Sequence, residues 1–162
     1  MSRYSEYVEN HVPKPPIVPT DWEYVRNEFD DIIDSDIISG NKEGRDCYPQ
    51  VRKTIRVKHK GGTLHASEYI QDRRNIAPHV IQFEYDWQYD PGNPEAIWKF
   101  HYDTLHPEQY WPATRHFHQH DQPNPLKTNH GRTSNFAARN VCAVLETIRC
   151  YMQKQPKLRR QS

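Results

Sequence analysis

The histidine-rich segment from Arg115 to Asp121 carries the residue types in this sequence that are best suited to chemistry. It reads Arg-His-Phe-His-Gln-His-Asp, so that His116, His118 and His120 alternate with other residues. In an extended segment, alternate residues lie on one side of the chain, about 6.5 to 7 Å apart. The spacing therefore predicts that neighbouring imidazoles converge on one ion or on one scissile group.

RNA cleavage is the first chemistry that these residue types can support. Attack by a 2′-hydroxyl needs a base of near-neutral pKa, an acid for the leaving oxygen and a cation for the charge of the phosphorane. His118 and His120 can exchange the protons, and Arg115 can stabilise the charge. Lys99 and Arg132 are further cations for the same role.

Metal binding is the alternative, and it uses the same histidines. Imidazoles and carboxylates are ligands of Zn and Mn. The predicted ligand set is His116, His118, His120 and Asp103. No well-defined signature such as HExxH accompanies these residues, so their spacing permits a metal without requiring one.

Several carboxylates lie near or within the predicted strands. Asp103 follows a strand that carries His101 on its polar side, so it either orients an imidazole or hydrogen-bonds its own turn. Glu68 falls on an apolar strand face, which predicts that it has a partner or belongs to a site. Glu84 and Asp86 lie on a polar face and are interpreted as solvated.

The elements that must position these residues are mainly strands. Apolar residues alternate with polar ones most clearly from His79 to Tyr89. Lys60-Gly61-Gly62 is a hairpin signal between two further alternating segments. An antiparallel meander of about four strands is predicted, over residues 51–57, 63–70, 79–89 and 97–102.

Two helices are predicted to cover the apolar face of this sheet. The first runs from about residue 21 to 34, behind the caps Thr20 or Asp21. The second has apolar residues at helical spacing from Val141 to Met152 and is capped by Thr133 or Ser134. Between sheet and second helix, residues 104–133 are predicted to be a long irregular excursion. The predicted fold class is α+β, with both helices packed on one face.

Length and composition predict one domain. The 162 residues divide into a Pro-rich arm over 1–20, a single domain over 21–153 and a basic tail over 154–162. A net charge of +1 excludes the overall basic field that binds nucleic acid regardless of sequence. Three cysteines without CxxC spacing, no secretion signal and no long apolar run predict a cytoplasmic protein without a membrane role.

The succession of short motifs between about residues 50 and 150 resembles the TumE-like family of toxins from prokaryotic type II toxin-antitoxin modules. That family has a Gly-rich hairpin, an acid-aromatic strand end, a Tyr-x-Tyr-x-Trp strand, an aromatic-Asp pair, a His-Pro step and a His-x-His loop. The matching residues here are Gly61-Gly62, Glu68-Tyr69, Phe83 and Tyr85 with Trp87, Tyr102-Asp103, His106-Pro107 and His118-Gln119-His120. The sequence departs from the family in several places. His101 stands where a basic residue is usual, and Asp86 where a His is frequent. His116-Phe117 precede His118 where the family's loop often reads Pro-His-His-x-His, and the N-terminal arm and the insertion from Pro91 to Glu95 are longer than usual.

The resemblance implies a small toxin that acts on RNA or translation and is held inactive by an adjacent helix-turn-helix antitoxin. It implies Asp103, His106, His118 and His120 as site residues, with Glu68 in support. The working hypothesis is a toxin-type ribonuclease without a cofactor, whose partners are RNA and that antitoxin; whether it forms a homodimer is left open. The rivals are a metal-binding protein or metal-dependent nuclease with Zn or Mn, and a non-enzymatic module that binds RNA or protein.

Overall fold

The computed structural model describes residues 17–40, 50–73, 76–93, 96–103, 117–120, 132–134 and 138–154. The strands form one antiparallel sheet whose order follows the chain from β1 to β7. They are β1 (Ile38–Ser39), β2 (Gln50–Arg56), β3 (Thr63–Arg73), β4 (Ile76–Gln88), β5 (Ile97–Asp103), β6 (Phe117–His120) and β7 (Arg132–Ser134). Helix α1 (Trp22–Glu28) precedes the sheet and helix α2 (Val141–Lys154) follows it. The predicted α+β meander with two helices is confirmed.

The sheet extends beyond the four strands that were predicted. Those four correspond to β2 to β5, and β1 adds two residues beside β2. The prediction that residues 104–133 are wholly irregular was wrong, because β6 and the first residues of β7 lie within that range. Strands of three or four residues are too short for a period to show in the sequence, and here they form by pairing with β5 and with each other.

The predicted hairpin at Lys60-Gly61-Gly62 joins β2 to β3. Gly62 has a φ of 80°, and a Cβ atom there would lie 1.8 Å from the carbonyl oxygen of Gln88. Only glycine fits, since any other side chain would collide with β4. The indole N–H of Trp87 donates to the carbonyl of Gly61 at 2.7 Å, which holds the turn against the core.

Both helices pack on one face of the sheet, which we call the closed face. On β4, alternate side chains enter this core, and Phe83, Tyr85 and Trp87 are fully buried. Helix α1 contributes Val25, and helix α2 contributes Val141, Val144, Leu145 and Ile148. Burial of these aromatic and aliphatic groups is the main source of stability in such a domain. In the described part of the chain, neither helix is both long enough and apolar enough to span a membrane.

Helix α1 is shorter than predicted. Asp21 caps it, as expected, and its carboxylate accepts hydrogen bonds from two backbone N–H groups, each at 3.1 Å. The helix ends at Glu28 rather than near residue 34, because the next N–H groups, those of Ile32 and Ile33, form turns that close on the carbonyl of Phe29, and the chain then joins the sheet. The N–H of Asp34 donates to the carbonyl of Arg56 at 3.0 Å.

Helix α2 begins later than predicted. Neither Thr133 nor Ser134 caps it, because both residues belong to β7, where Ser134 pairs with His118. Asn140 takes the capping role, and its side-chain oxygen accepts from the backbone N–H of Ala143 at 2.9 Å. The hydroxyl residues in the sequence were suitable caps, but strand pairing uses them first.

Arg149 of α2 links the two helices. Its guanidinium donates to both carboxylate oxygens of Asp31, at 2.8 and 3.0 Å, and to the carbonyl of Glu28 at 2.9 Å. It also donates to Glu146 at 2.6 Å and lies over the ring of Phe29, 4.6 Å from its centroid. The planar fork of arginine is required for this set of contacts.

Substitution Arg149→Lys is expected to lower the free energy of unfolding by about 1 kcal/mol at pH 7, because lysine cannot make the paired contact with Asp31. The hydrogen bonds from Arg149 lower the pKa of Asp31 below its usual 3.8. A lowered carboxyl pKa stabilises the fold above pH 4 or so, and this contribution is lost as the pH falls through the folded-state pKa.

The measurement is urea unfolding of both proteins between pH 7 and pH 2.5, with the exposed Arg139→Lys as the control. The difference between wild type and Arg149→Lys should shrink at the acidic end. A difference that stays constant across this range would show that the ion pair with Asp31 is not its source.

Candidate functional site

The face of the sheet opposite the helices, which we call the open face, carries polar residues on every long strand. Cross-strand pairing arranges them in two adjacent rows, because paired residues of a ladder share one face. The first row is Arg52, Ser67, Glu84, His101, His118 and Ser134. The second row is Thr54, His65, Asp86, Lys99, His120 and Arg132.

A hydrogen bond between His101 and Asp86 lies in the middle of this face. The Nε2 atom of His101 is 3.0 Å from Oδ1 of Asp86, and the two side chains are 20% and 29% exposed. A carboxylate accepts only, so it places a proton on Nε2 and the basic lone pair of a neutral ring on Nδ1. The carboxylate therefore orients the imidazole and fixes its tautomer.

Strand β6 brings two of the predicted site histidines to the same place. His118 pairs with His101, and His120 pairs with Lys99. On its other side His120 pairs with Arg132 of β7. The Cα atoms of such pairs lie about 4.5 to 5.5 Å apart. The backbone thus collects two histidine positions, His101, Asp86 and two cationic positions within two adjacent rows.

Other predicted site residues are located less completely. Asp103 ends β5, where its backbone pairs with Gln82, and its side chain lies outside the described part. His106, Arg115 and His116 lie outside the described residues altogether. Their predicted roles stay predictions.

Glu68 lies on the closed face, away from the histidines. It is 1% exposed, and its carboxylate accepts hydrogen bonds from the hydroxyl of Tyr85 at 2.6 Å and from the N–H of Thr20 at 3.1 Å. The hydroxyl of Thr20 donates to it as well. The sequence predicted that an acid here needs a partner, and these contacts supply it. Glu68 thereby holds the segment before α1 against the sheet.

Burial and the nearby Glu68 suppress ionisation of two neighbours. Desolvation, followed by the charge of Glu68, raises the pKa of Tyr85 well above its usual 10. The same two causes, in the same order, raise the pKa of Cys142 above 9. Tyr85 therefore stays a hydrogen-bond donor, and Cys142 stays a thiol without nucleophilic character.

The hydrogen bond between His101 and Asp86 was not predicted from the sequence. Asp86 was interpreted as a solvated residue, although it hydrogen-bonds His101. Alternation put both residues on polar strand faces, but only the register of β4 against β5 places them side by side. The signal in the sequence that could have predicted this contact was the short turn between β4 and β5, which makes the two strands antiparallel neighbours.

A metal site is not formed by the side chains that the structure describes. Among them, no group of three or more His, Cys, Asp or Glu residues lies close enough to hold an ion. The side chains of the predicted ligand set, His116, His118, His120 and Asp103, lie outside that part. Zinc or manganese binding by this set stays a prediction.

No protein-family model, curated protein or solved structure matches the chain. The likeness to TumE-like toxins therefore rests on the motifs of the sequence alone.

Proposed function

We propose that the protein is a ribonuclease that cleaves single-stranded RNA on the open face, with His101 and His118 as its proton-transfer pair. The observation that carries this proposal is the 3.0 Å hydrogen bond from His101 to Asp86, beside a strand that pairs His118 with His101. General acid-base cleavage of RNA requires two proton-transfer groups, and the oriented imidazole of His101 has a second histidine as its register partner. The proposal needs no cofactor.

In this reaction one imidazole removes the proton from a ribose 2′-hydroxyl. The 2′-oxygen then attacks the adjacent phosphorus, and the bond from phosphorus to the 5′-oxygen of the next nucleotide breaks. The other imidazole, in its protonated form, donates a proton to that 5′-oxygen. The products are a 2′,3′-cyclic phosphate and a 5′-hydroxyl. With Asp86 holding Nε2 of His101, Nδ1 of the same ring acts as the base.

Cationic residues occupy register positions next to the histidines of β5 and β6, and they suit the charge that develops on phosphorus. Lys99 occupies the register position between Asp86 and His120, and Arg132 follows His120 on β7. A pentavalent phosphorane carries an extra negative charge, which positioned cations stabilise. Arg115 is a further predicted cation for this role.

The biological role that we propose is that of a toxin in a prokaryotic toxin-antitoxin module, acting in the cytoplasm. The motif order from Gly61 to His120 supports it. The partner would be a helix-turn-helix antitoxin encoded beside the toxin. Asp103, His106 and His120 belong to the proposed site as residues of the matching motifs.

The test incubates the purified protein with a defined single-stranded RNA, with and without a chelator, and identifies the ends of the products. We expect cleavage with 2′,3′-cyclic phosphate ends under both conditions, and growth arrest when the chain is expressed in cells. RNA that stays intact under every condition would overturn the proposal. Cleavage that disappears with the chelator would instead favour the metal-dependent nuclease that uses His116, His118, His120 and Asp103.

A further inference from the structure

Glu84 lies at the centre of the open face, between Ser67 on β3 and His101 on β5. Its side chain is half-buried. In the part of the chain that the structure describes, its carboxylate has no hydrogen-bond or ion-pair partner. Both of its oxygens are therefore available to a ligand that lies on the sheet.

The neighbouring carboxylates differ from Glu84 in this respect. One oxygen of Asp86 is occupied by His101, and Glu68 is enclosed on the other face by Tyr85 and Thr20. A half-buried carboxylate without a partner costs free energy that a charge-assisted hydrogen bond recovers. Glu84 is thus the carboxylate on these two strands that is best placed to accept from a substrate.

We propose that Glu84 is a specificity residue that accepts hydrogen bonds from a guanine base of the RNA, at the nucleotide next to the scissile phosphate. This inference rests on the proposed ribonuclease function. Guanine presents two adjacent donors, N1–H and the exocyclic N2 amino group, which match the two oxygens of one carboxylate. Single-stranded RNA exposes this edge for reading, because its bases can be splayed from the strand.

The other bases match a carboxylate less well. Adenine and cytosine each offer an amino group beside a ring nitrogen that accepts, so one oxygen of Glu84 would face a lone pair. Uracil offers a single N–H between two carbonyl groups. The phosphate backbone is excluded from this position as well, since its charge has the same sign as the carboxylate. A guanine base is therefore the nucleotide group that Glu84 accommodates best.

Arg52 completes the subsite on the far side of Ser67. It is exposed and, in the described part, has no side-chain partner. It occupies the same row as Glu84 and His101, three strands away from the latter, or about 14 Å at the usual spacing. A short RNA segment spans this distance, with a phosphate on Arg52, its base on Glu84 and its scissile group at His101.

The experiment compares three RNA oligonucleotides that differ at one nucleotide, which is guanosine, inosine or adenosine in an otherwise uridine sequence. Inosine keeps N1–H but lacks the N2 amino group. For the wild-type protein we expect kcat/KM to be highest for guanosine, lower for inosine and lowest for adenosine, over a range on the order of ten- to hundredfold. Glu84→Gln should remove this preference by slowing cleavage at guanosine, with the adenosine substrate changed less than twofold.

Glu23→Gln makes the same chemical change on the exposed side of α1 and is the matched control. It should leave all three values as they are in the wild type. Equal cleavage of the three RNAs by the wild type, or an equal loss on all of them in Glu84→Gln, would overturn the assignment of Glu84.

A binding measurement separates this inference from the proposed function. Oligonucleotides of the same three sequences with 2′-methoxy groups cannot undergo the attack, and their dissociation constants are measured by fluorescence anisotropy. If binding is selective for guanosine and depends on Glu84, but the natural RNAs are not cleaved, the proposed ribonuclease function is overturned and the role of Glu84 in base recognition stands. If the RNAs are cleaved but binding does not distinguish the three bases, the ribonuclease function stands and the role of Glu84 in base recognition is overturned.

Discussion

Replacing His118 with alanine is expected to lower kcat/KM for RNA cleavage by about 10²- to 10⁴-fold, the usual contribution of a positioned proton-transfer group. The backbone pairs His118 with His101, whose ring is held by Asp86. Loss of either imidazole leaves one of the two proton transfers to water. His101→Ala is expected to have an effect of the same order, and the double variant little more than either single one.

Initial rates on a defined RNA measure this loss, and added imidazole provides a second readout. A small imidazole can enter the space of the deleted ring, so we expect it to restore part of the rate of His118→Ala. His79→Ala is the control, because it removes an imidazole from β4 that hydrogen-bonds the carbonyl of Ala77 and lies outside the two rows of the open face. Rates within threefold of the wild type for His118→Ala would exclude it from the reaction.

The variant Asp86→Asn tests whether Asp86 positions the ring of His101 or instead stabilises the fold. Asparagine keeps the shape of the side chain but removes the charge that orients Nε2–H of His101. We expect kcat to fall with KM nearly unchanged, and the midpoint of thermal unfolding to stay close to that of the wild type. A fall in stability that parallels the fall in activity would instead indicate that the hydrogen bond from His101 to Asp86 has a structural role.

Glu68→Ala is expected to lower the free energy of unfolding by about 3 to 5 kcal/mol, which is a large part of the stability of a domain of this size. The substitution leaves the buried hydroxyl of Tyr85 and two donors of Thr20 without an acceptor. It also opens a cavity in the closed face, where Glu68 is fully enclosed. Urea unfolding followed by tryptophan fluorescence measures the change.

Two further variants identify the cause of that loss. Glu68→Gln keeps an acceptor oxygen at nearly the same volume, so we expect a smaller cost, about 1 to 2 kcal/mol. Glu23→Ala removes an exposed carboxylate and should change stability by less than about 0.5 kcal/mol. A cost for Glu68→Ala that is no larger than that of Glu23→Ala would show that the hydrogen bonds to Tyr85 and Thr20 contribute no net stability.

The central strands could be predicted from the sequence because their signal is local. Along β4, each buried aromatic residue is followed by a polar one, and the hairpin glycines mark the turn before β3. The ends of the helices were predicted less well, since competition from the sheet decides them. The N–H of Asp34 bonds to Arg56 of β2, and Ser134 pairs in β7 instead of capping α2.

In the candidate site, too, the residue types could be predicted from the sequence, whereas the contacts between distant residues could not. The chemical types of His118 and His120 were evident, but their neighbours depend on which strands pair and in what register. A shift of one residue between β4 and β5 would move Asp86 away from His101 and reverse the faces.

The order of the strands in the sheet, which follows the order of the chain, has a consequence for biosynthesis. During translation each strand can pair with the one just made, and no early strand waits for a distant partner. The two paired histidines nevertheless lie on β5 and β6, and α2, which completes the cover that α1 begins on the apolar side of the sheet, is made last. A nascent polypeptide that ends before Val141 thus has the part of its hydrophobic surface that α2 covers still in water.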